Sequence, residues 1–188
     1  MAINSAEVST GKPKITGAIY YAPEGTILPT DATSELDNAF ANLGYVSEDG
    51  VTNANSIESE NVKAWGGDIV QSSQTEKTDT FQLTLIQSIN TDVLKAVYGA
   101  DNVSGTLASG IVVKANAKEL QAACWVIDMI LTDNTLKRVV IPRGKISELG
   151  EVVYNDTDPI GYQPTINALP DEDGNTHYEY IQAGTVSA

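Results

Sequence analysis

One cysteine, one histidine and two phenylalanines are all that 188 residues contain of those types. A single thiol, Cys124, cannot build an intrachain disulfide framework and supplies no cluster for structural zinc. With no basic group near it in sequence to stabilise a thiolate, and Trp125 beside it in an apolar run, Cys124 is expected to be a small buried hydrophobe. A single imidazole, His177, would have to serve as the base of any Ser-His-Asp triad. It lies beside a turn signal near the end of the sequence, and a strand surface is its expected place. Long apolar runs are missing too, none approaching the roughly 20 residues that a membrane helix needs. The opening MAINSAEVSTGKPKI lacks the basic flank and apolar stretch of a secretory signal, so a protein made and folded in a cytoplasm is expected, with no membrane partner. Basic residues are scarce. Eleven Lys and Arg stand against 25 Asp and Glu, a net charge of -14 that repels nucleic-acid backbone and anionic lipid. From residue 146 onward there are eight acidic residues, among them Glu148 and Glu151, and no lysine or arginine. Such a stretch keeps a surface soluble by repulsion.

Ligand-binding signatures are absent as well. There is no GxxxxGK[ST] or GxGxxG, and the Gly66-Gly67 pair is followed by an extended run where a phosphate loop needs a helix. A bend between two strands is the expected role of that pair. Residues 171–176 (DEDGNT) offer oxygens at about the density of a calcium loop, but the closing glutamate is missing, which leaves a polar hairpin tip. No catalytic, cofactor-binding or metal-ligating set emerges, and no cofactor is expected.

What the sequence does contain is strand signal. Residues 15–21 (ITGAIYY) form a first strand after a polar arm and end at a Pro-Glu-Gly turn. Ser34 is placed to cap a short helix with Leu36, Phe40 and Leu43 at helical spacing and Gly44 as its stop. Residues 45–52 read as a strand into an Asp-Gly turn, and 56–70 as a further extended pair or hairpin that projects from the body. Phe81, Leu83 and Leu85 alternate with Thr80, Gln82 and Thr84, the pattern of a half-buried strand. Asn90 to Asp92 cap a second helix bearing Val93, Leu94, Val97 and Tyr98, closed by Gly99. After a short strand at 111–113, residues 122–131 are apolar on both faces. Helical spacing is present there too, but β-branched Val126 and Ile127 and an Asp133-Asn134 turn favour a strand, which needs cover on both sides from a helix, a second sheet or a neighbouring subunit. Strands at 136–141, ended by Pro142, at 146–154, 160–169 and 177–181 complete the pattern. The expected architecture is mainly β: two packed antiparallel sheets, sandwich-like or barrel-like, with one or two short flanking helices in a single domain.

The succession LGYVSEDGV, VKAWGGDIV, DTFQLTLIQS, TDVLKAVYG, PRGKISELGEVVY and INALPDEDGNTHYEY resembles the major tail tube proteins of bacteriophages with long non-contractile tails, in order over most of the chain. The resemblance implies a β-sandwich with a flanking helix that assembles with itself into hexameric rings, stacked into the tube that conducts the genome. It implies that an N-terminal arm, residues 1–14, and a projecting polar loop, residues 47–63, mediate contacts between rings. The implied partners are the tail terminator, tape measure and baseplate-proximal tail proteins, with DNA passing through unbound, in a virion tail assembled in the host cytoplasm. The immunoglobulin-like decoration of some relatives has no counterpart here, so a plain tube surface is expected. An acidic wall would let DNA pass where a basic one would bind it, and Glu148 and Glu151 are the candidate lumen-facing acids. Three apart on a straight strand, they would point to opposite faces, so at most one would line the lumen. The alternative class is a carbohydrate-binding β-sandwich, with Tyr20, Tyr162, Tyr178 and Tyr180 as its aromatic face. A hydrolase on this scaffold would lack its base.

Overall fold

The alternation of Phe81, Leu83 and Leu85 with polar residues yields the strand it predicts, with all three side chains buried. The computed structural model describes residues 7–14 and 16–184. Its strands are β1 (Lys12–Pro13), β2 (Ile19–Pro23), β3 (Ala41–Asn42), β4 (Val46–Lys63), β5 (Ile69–Leu85), β6 (Val103–Thr106), β7 (Gly110–Val113), β8 (Ala123–Ile130), β9 (Thr135–Leu149), β10 (Pro164–Leu169) and β11 (Tyr178–Ala183), with one α-helix, α1 (Thr91–Tyr98). Nine strands form one antiparallel sheet in the order β3-β2-β8-β9-β10-β5-β4, with β1 added to β8 and β11 to β9; β6 and β7 make a separate ribbon. The two ends of that order, β3 and β4, are joined by residues 43–45 alone. Four peptide steps span at most about 14 Å, so the sheet must curl until its ends nearly meet. This is the barrel-like form of the expected β fold.

One face of the sheet holds the core. Ile19, Phe81, Leu83, Leu85, Trp125, Ile127, Val139, Ile141 and Ile166 pack there with Val93, Leu94 and Val97 of α1 and Val103 of β6. The helix forms as its signals predict: Asn90 Oδ1 accepts from the Asp92 backbone N–H at the start, and the Gly99 N–H donates to the Lys95 carbonyl at the end. Trp125 is fixed by an indole hydrogen bond to the Gly144 carbonyl, 3.2 Å, and by an edge contact with Tyr21. Gly144 leaves room for that ring, since a Cβ there would lie 2.5 Å from Trp125.

Several elements differ from the sequence reading. No helix follows Ser34. Asp31 Oδ1 accepts from the backbone N–H groups of Thr33 and Ser34 at 2.6 and 2.5 Å in a local turn, and Arg138 Nη1 takes the Ser34 carbonyl, which would have accepted the first intrahelical bond. The Asp49-Gly50 pair is no turn either: β4 runs through it, with the register slipping between Val46 and Val51. Pro142 does not end its strand. Ala123 pairs with Gly144 and Trp125 with Ile141, so Cys124 faces two residues, Pro142 and Arg143, and the proline sits in a bulge where no ladder N–H is required. The strands expected at 146–154 and 160–169 are shorter, ending at Leu149 and starting at Pro164. The first strand, expected at 15–21, runs from Ile19 to Pro23, and Ile15 lies outside the described residues.

Candidate assembly surfaces

A projecting ribbon follows directly from the sequence of β4 and β5. Polar residues fill it, so it has little to bury, and residues 52–77 are exposed without exception. At about 3.4 Å per residue its stem, from Asn55 to Lys63, stands roughly 25–30 Å off the body. The turn is the Gly66-Gly67 bend. Ala64 N–H donates to the Asp68 carbonyl at 2.8 Å, Gly67 N–H to the Ala64 carbonyl, and both glycines have positive φ. Trp65 is fully exposed at the tip, near exposed Val62, Ile69 and Val70. A lone two-stranded ribbon in water is marginal, and an open edge of this length is a template for pairing with another chain.

The ribbon is fastened at its base. Asp79, 1% exposed, is the first buried residue of β5 after the exposed stem. Its Oδ1 accepts from Asn53 Nδ2 across the ribbon at 2.7 Å; its Oδ2 accepts from Thr176 Oγ1 at 2.6 Å and lies 2.5 Å from His177 Nδ1. Burial raises this carboxyl's pKa, but the hydrogen bonds from Thr176, Asn53 and His177 together hold it below the usual value. His177 therefore lies in the loop before β11, its ring edge-on to Phe81, and not on a strand surface. Asp79 and His177 are 98 residues apart. No local signal could have joined them.

The second face of β8 and β9 is covered by the chain between β2 and β3. Arg138, 2% exposed, gives a two-pronged bond to Asp128, Nε to Oδ1 at 2.6 Å and Nη2 to Oδ2 at 2.9 Å. Its Nη1 donates to the carbonyls of Asp31 and Ser34, and Lys14 adds a second cation 3.5 Å from Asp128. Cys124 lies on this face, its Sγ donating to the Pro142 carbonyl, and burial pushes its thiol pKa up. The small buried hydrophobe expected of it is what is found. The strand apolar on both faces is thus covered on its second side by irregular chain, through polar bonds.

With these surfaces in view, the comparisons with known proteins are decisive for the family. The sequence matches the family described as phage tail tube protein over residues 1–188. The chain belongs to that family. It is a structural protein of the bacteriophage tail, and its place is the virion tail. Among solved structures, a cryo-EM structure of the anti-feeding prophage cap, described as its tube-terminating cap, matches at 8% identity with a TM-score of 0.46, covering 98% of this chain and all of that one. No protein of curated function matches the sequence.

In this tail tube protein the residues singled out from sequence are spread over separate surfaces. Glu148 is on β9 opposite Thr165 of β10, while Glu151 lies beyond the strand, which ends at Leu149. Ile146, Leu149 and Val152 pack on the core and both glutamates are exposed, so the straight-strand argument for opposite faces does not apply. Beside Glu148 the outer face is polar, with Gln82 Nε2 donating to Thr165 Oγ1 and Ser147 Oγ to the Thr165 carbonyl. The four tyrosines form no common platform. Tyr162 is buried edge-on to Tyr98, while Tyr178 and Tyr180 stack on β11. Of the arm, Lys12–Pro13 pairs with Met129 and Ile130 of β8, and Thr10 N–H donates to Thr132 Oγ1. Residues 1–6 of the arm lie outside the described residues. Among the described residues no group of three or more metal-ligating side chains occurs.

Proposed function

We propose that this protein is the repeating subunit of the tail tube: copies close into hexameric rings, and the rings stack into a conduit through which the genome is delivered. Its role is structural, without catalysis or cofactor. Besides itself, its partners are the tail terminator, the tape measure and the baseplate-proximal proteins, and assembly takes place in the host cytoplasm. The N-terminal arm, residues 1–14, and residues 47–63 supply contacts between rings. The observation that carries this reading, beyond family membership, is the exposed ribbon of residues 52–77, a polar stem with apolar side chains at its tip that, among the described residues, is held by its own subunit only at its base. Ribbon and curled body together give the two different contacts that a stacked ring needs, one for closure and one for stacking.

The test replaces residues 57–77 with a two-residue Asn-Gly turn, which suits a hairpin and joins the cross-strand partners Ser56 and Thr78 in their own register. The body retains its core and is expected to melt as a folded monomer. The parent is expected to form tubes in negative-stain electron microscopy and the shortened protein none. Tubes of normal width from the shortened protein would refute this assignment of the ribbon.

A further inference from the structure

The stem of the ribbon has two chemically different faces. Asp79, Phe81 and Leu83 turn towards the core, and no register shift separates them from Lys77, whose partner is Ile57. Alternation along β4 then places Lys63 on the same face as Ile57, with Ile69 opposite it. The other face carries Glu58 and Glu60 from β4, Glu76 from β5, and Val62. Glu58 and Glu76 are direct cross-strand partners. Like charges in that position destabilise a strand pair. Among the described residues none of the five stem charges takes part in an ion pair, and all five side chains are exposed. Apart from Asp68 at the turn, the stem thus holds three anions on one side and two cations on the other, each side with exposed aliphatic carbon, while every other lysine or arginine lies outside the ribbon.

We propose that these two faces are the halves of one repeated contact between copies of the chain, the Glu58, Glu60 and Glu76 face of one ribbon seated on the Lys63 and Lys77 face of the next. The inference rests on the assembly reading above. A contact between unlike surfaces is head-to-tail: each copy offers one face and receives the other, so the pattern continues from copy to copy, as the stacking of ring on ring requires. The Glu58–Glu76 repulsion, unfavourable in the free subunit, is offset once the next ribbon's ammonium groups lie over it. Val62 on one side and Ile57 and Ile69 on the other lose water in the same step.

Two charge-reversed proteins test this. One carries Glu58→Lys and Glu76→Lys, which makes both faces predominantly basic and preserves a like-charged cross-strand pair. The other carries Lys63→Glu and Lys77→Glu, which makes both faces acidic. Like charges brought together across an interface are strongly disfavoured, so each protein alone is expected to polymerise roughly a hundredfold less than the parent at low salt. An equimolar mixture should form tubes again, because the two can alternate from copy to copy along the repeat. Light scattering and electron microscopy read the result, and circular dichroism confirms folding. The pairing is overturned if either reversed protein assembles like the parent, or if both are folded and their mixture does not assemble. Failure of the unaltered parent to polymerise would instead refute the assembly reading itself.

Discussion

Arg138 is the side chain through which the irregular chain at Asp31 and Ser34 is held to the sheet. Its guanidinium spends one N–H of Nε and one of Nη2 on Asp128 and the N–H groups of Nη1 on two backbone carbonyls, so in an ion pair nearly free of solvent every guanidinium nitrogen is hydrogen-bonded. Desolvation can cancel the attraction within such a pair, yet removing one member strands the other. Arg138→Met is therefore expected to lose about 3–5 kcal/mol of stability, measured as a shift in urea midpoint at unchanged slope. The double change Asp128→Leu with Arg138→Met should recover most of the loss, since it leaves no buried charge unmatched. If the single variant unfolds at the parental urea concentration, the cover is held by something other than this arginine. Cys124, in contrast, behaves as its neighbours in sequence predicted, because small size and apolar surroundings are local properties.

At the scale of elements, Asp79 decides how the ribbon is joined to the body. Its folded pKa is depressed, so the stabilisation it brings is present above the unfolded value of about 3.9 and fades as pH falls through the folded value. Asp79→Asn should thus be less stable than the parent at pH 7, and the difference should shrink steadily as the pH falls below 4, as urea unfolding at each pH would show. A gap that stays constant with pH would mean that the charge is irrelevant. Elements whose signals are local were legible in the sequence. The helix from Thr91 to Tyr98 carries its cap, its apolar stripe and its stop within ten residues, and the Gly66-Gly67 bend carries its own turn chemistry. Elements decided by distant partners were not legible. The segment after Ser34 looks helical until Arg138, 104 residues away, claims the Ser34 carbonyl that the first helical N–H would need. Asp49-Gly50 and Pro142 look like ends, and become bulges because the strands facing them continue.

For the whole molecule, the mainly β architecture followed from alternation, but the closure of one sheet upon itself did not, because it depends on which strands become neighbours. The candidate surfaces divided in the same way: the ribbon could be read from its polarity, while the bonds at its base and the two-sided charge of its stem required the register. The lumen assignment belongs at this scale. Both Glu148 and Glu151 are exposed beside a polar outer face, and only charges within about a Debye length of 8 Å would be felt by passing DNA. Glu148→Lys and Glu151→Lys, made separately, should each leave tube assembly intact, and at least one should slow genome ejection into susceptible cells. Parental ejection by both would remove these residues from the conduit wall. The closed sheet also governs the order of events during synthesis. Residues 19–23 pair with nearby β3 on one side, but on the other only with β8, at residues 123–127. At 5–20 residues per second the ribosome needs roughly 5–20 s to make the hundred residues between them. The ribbon, whose strands are consecutive in the chain, can form in microseconds. Each nascent chain can therefore expose these two strands, with their open edges, for seconds before its body can close, and in a cell making many copies on one message that interval favours premature association.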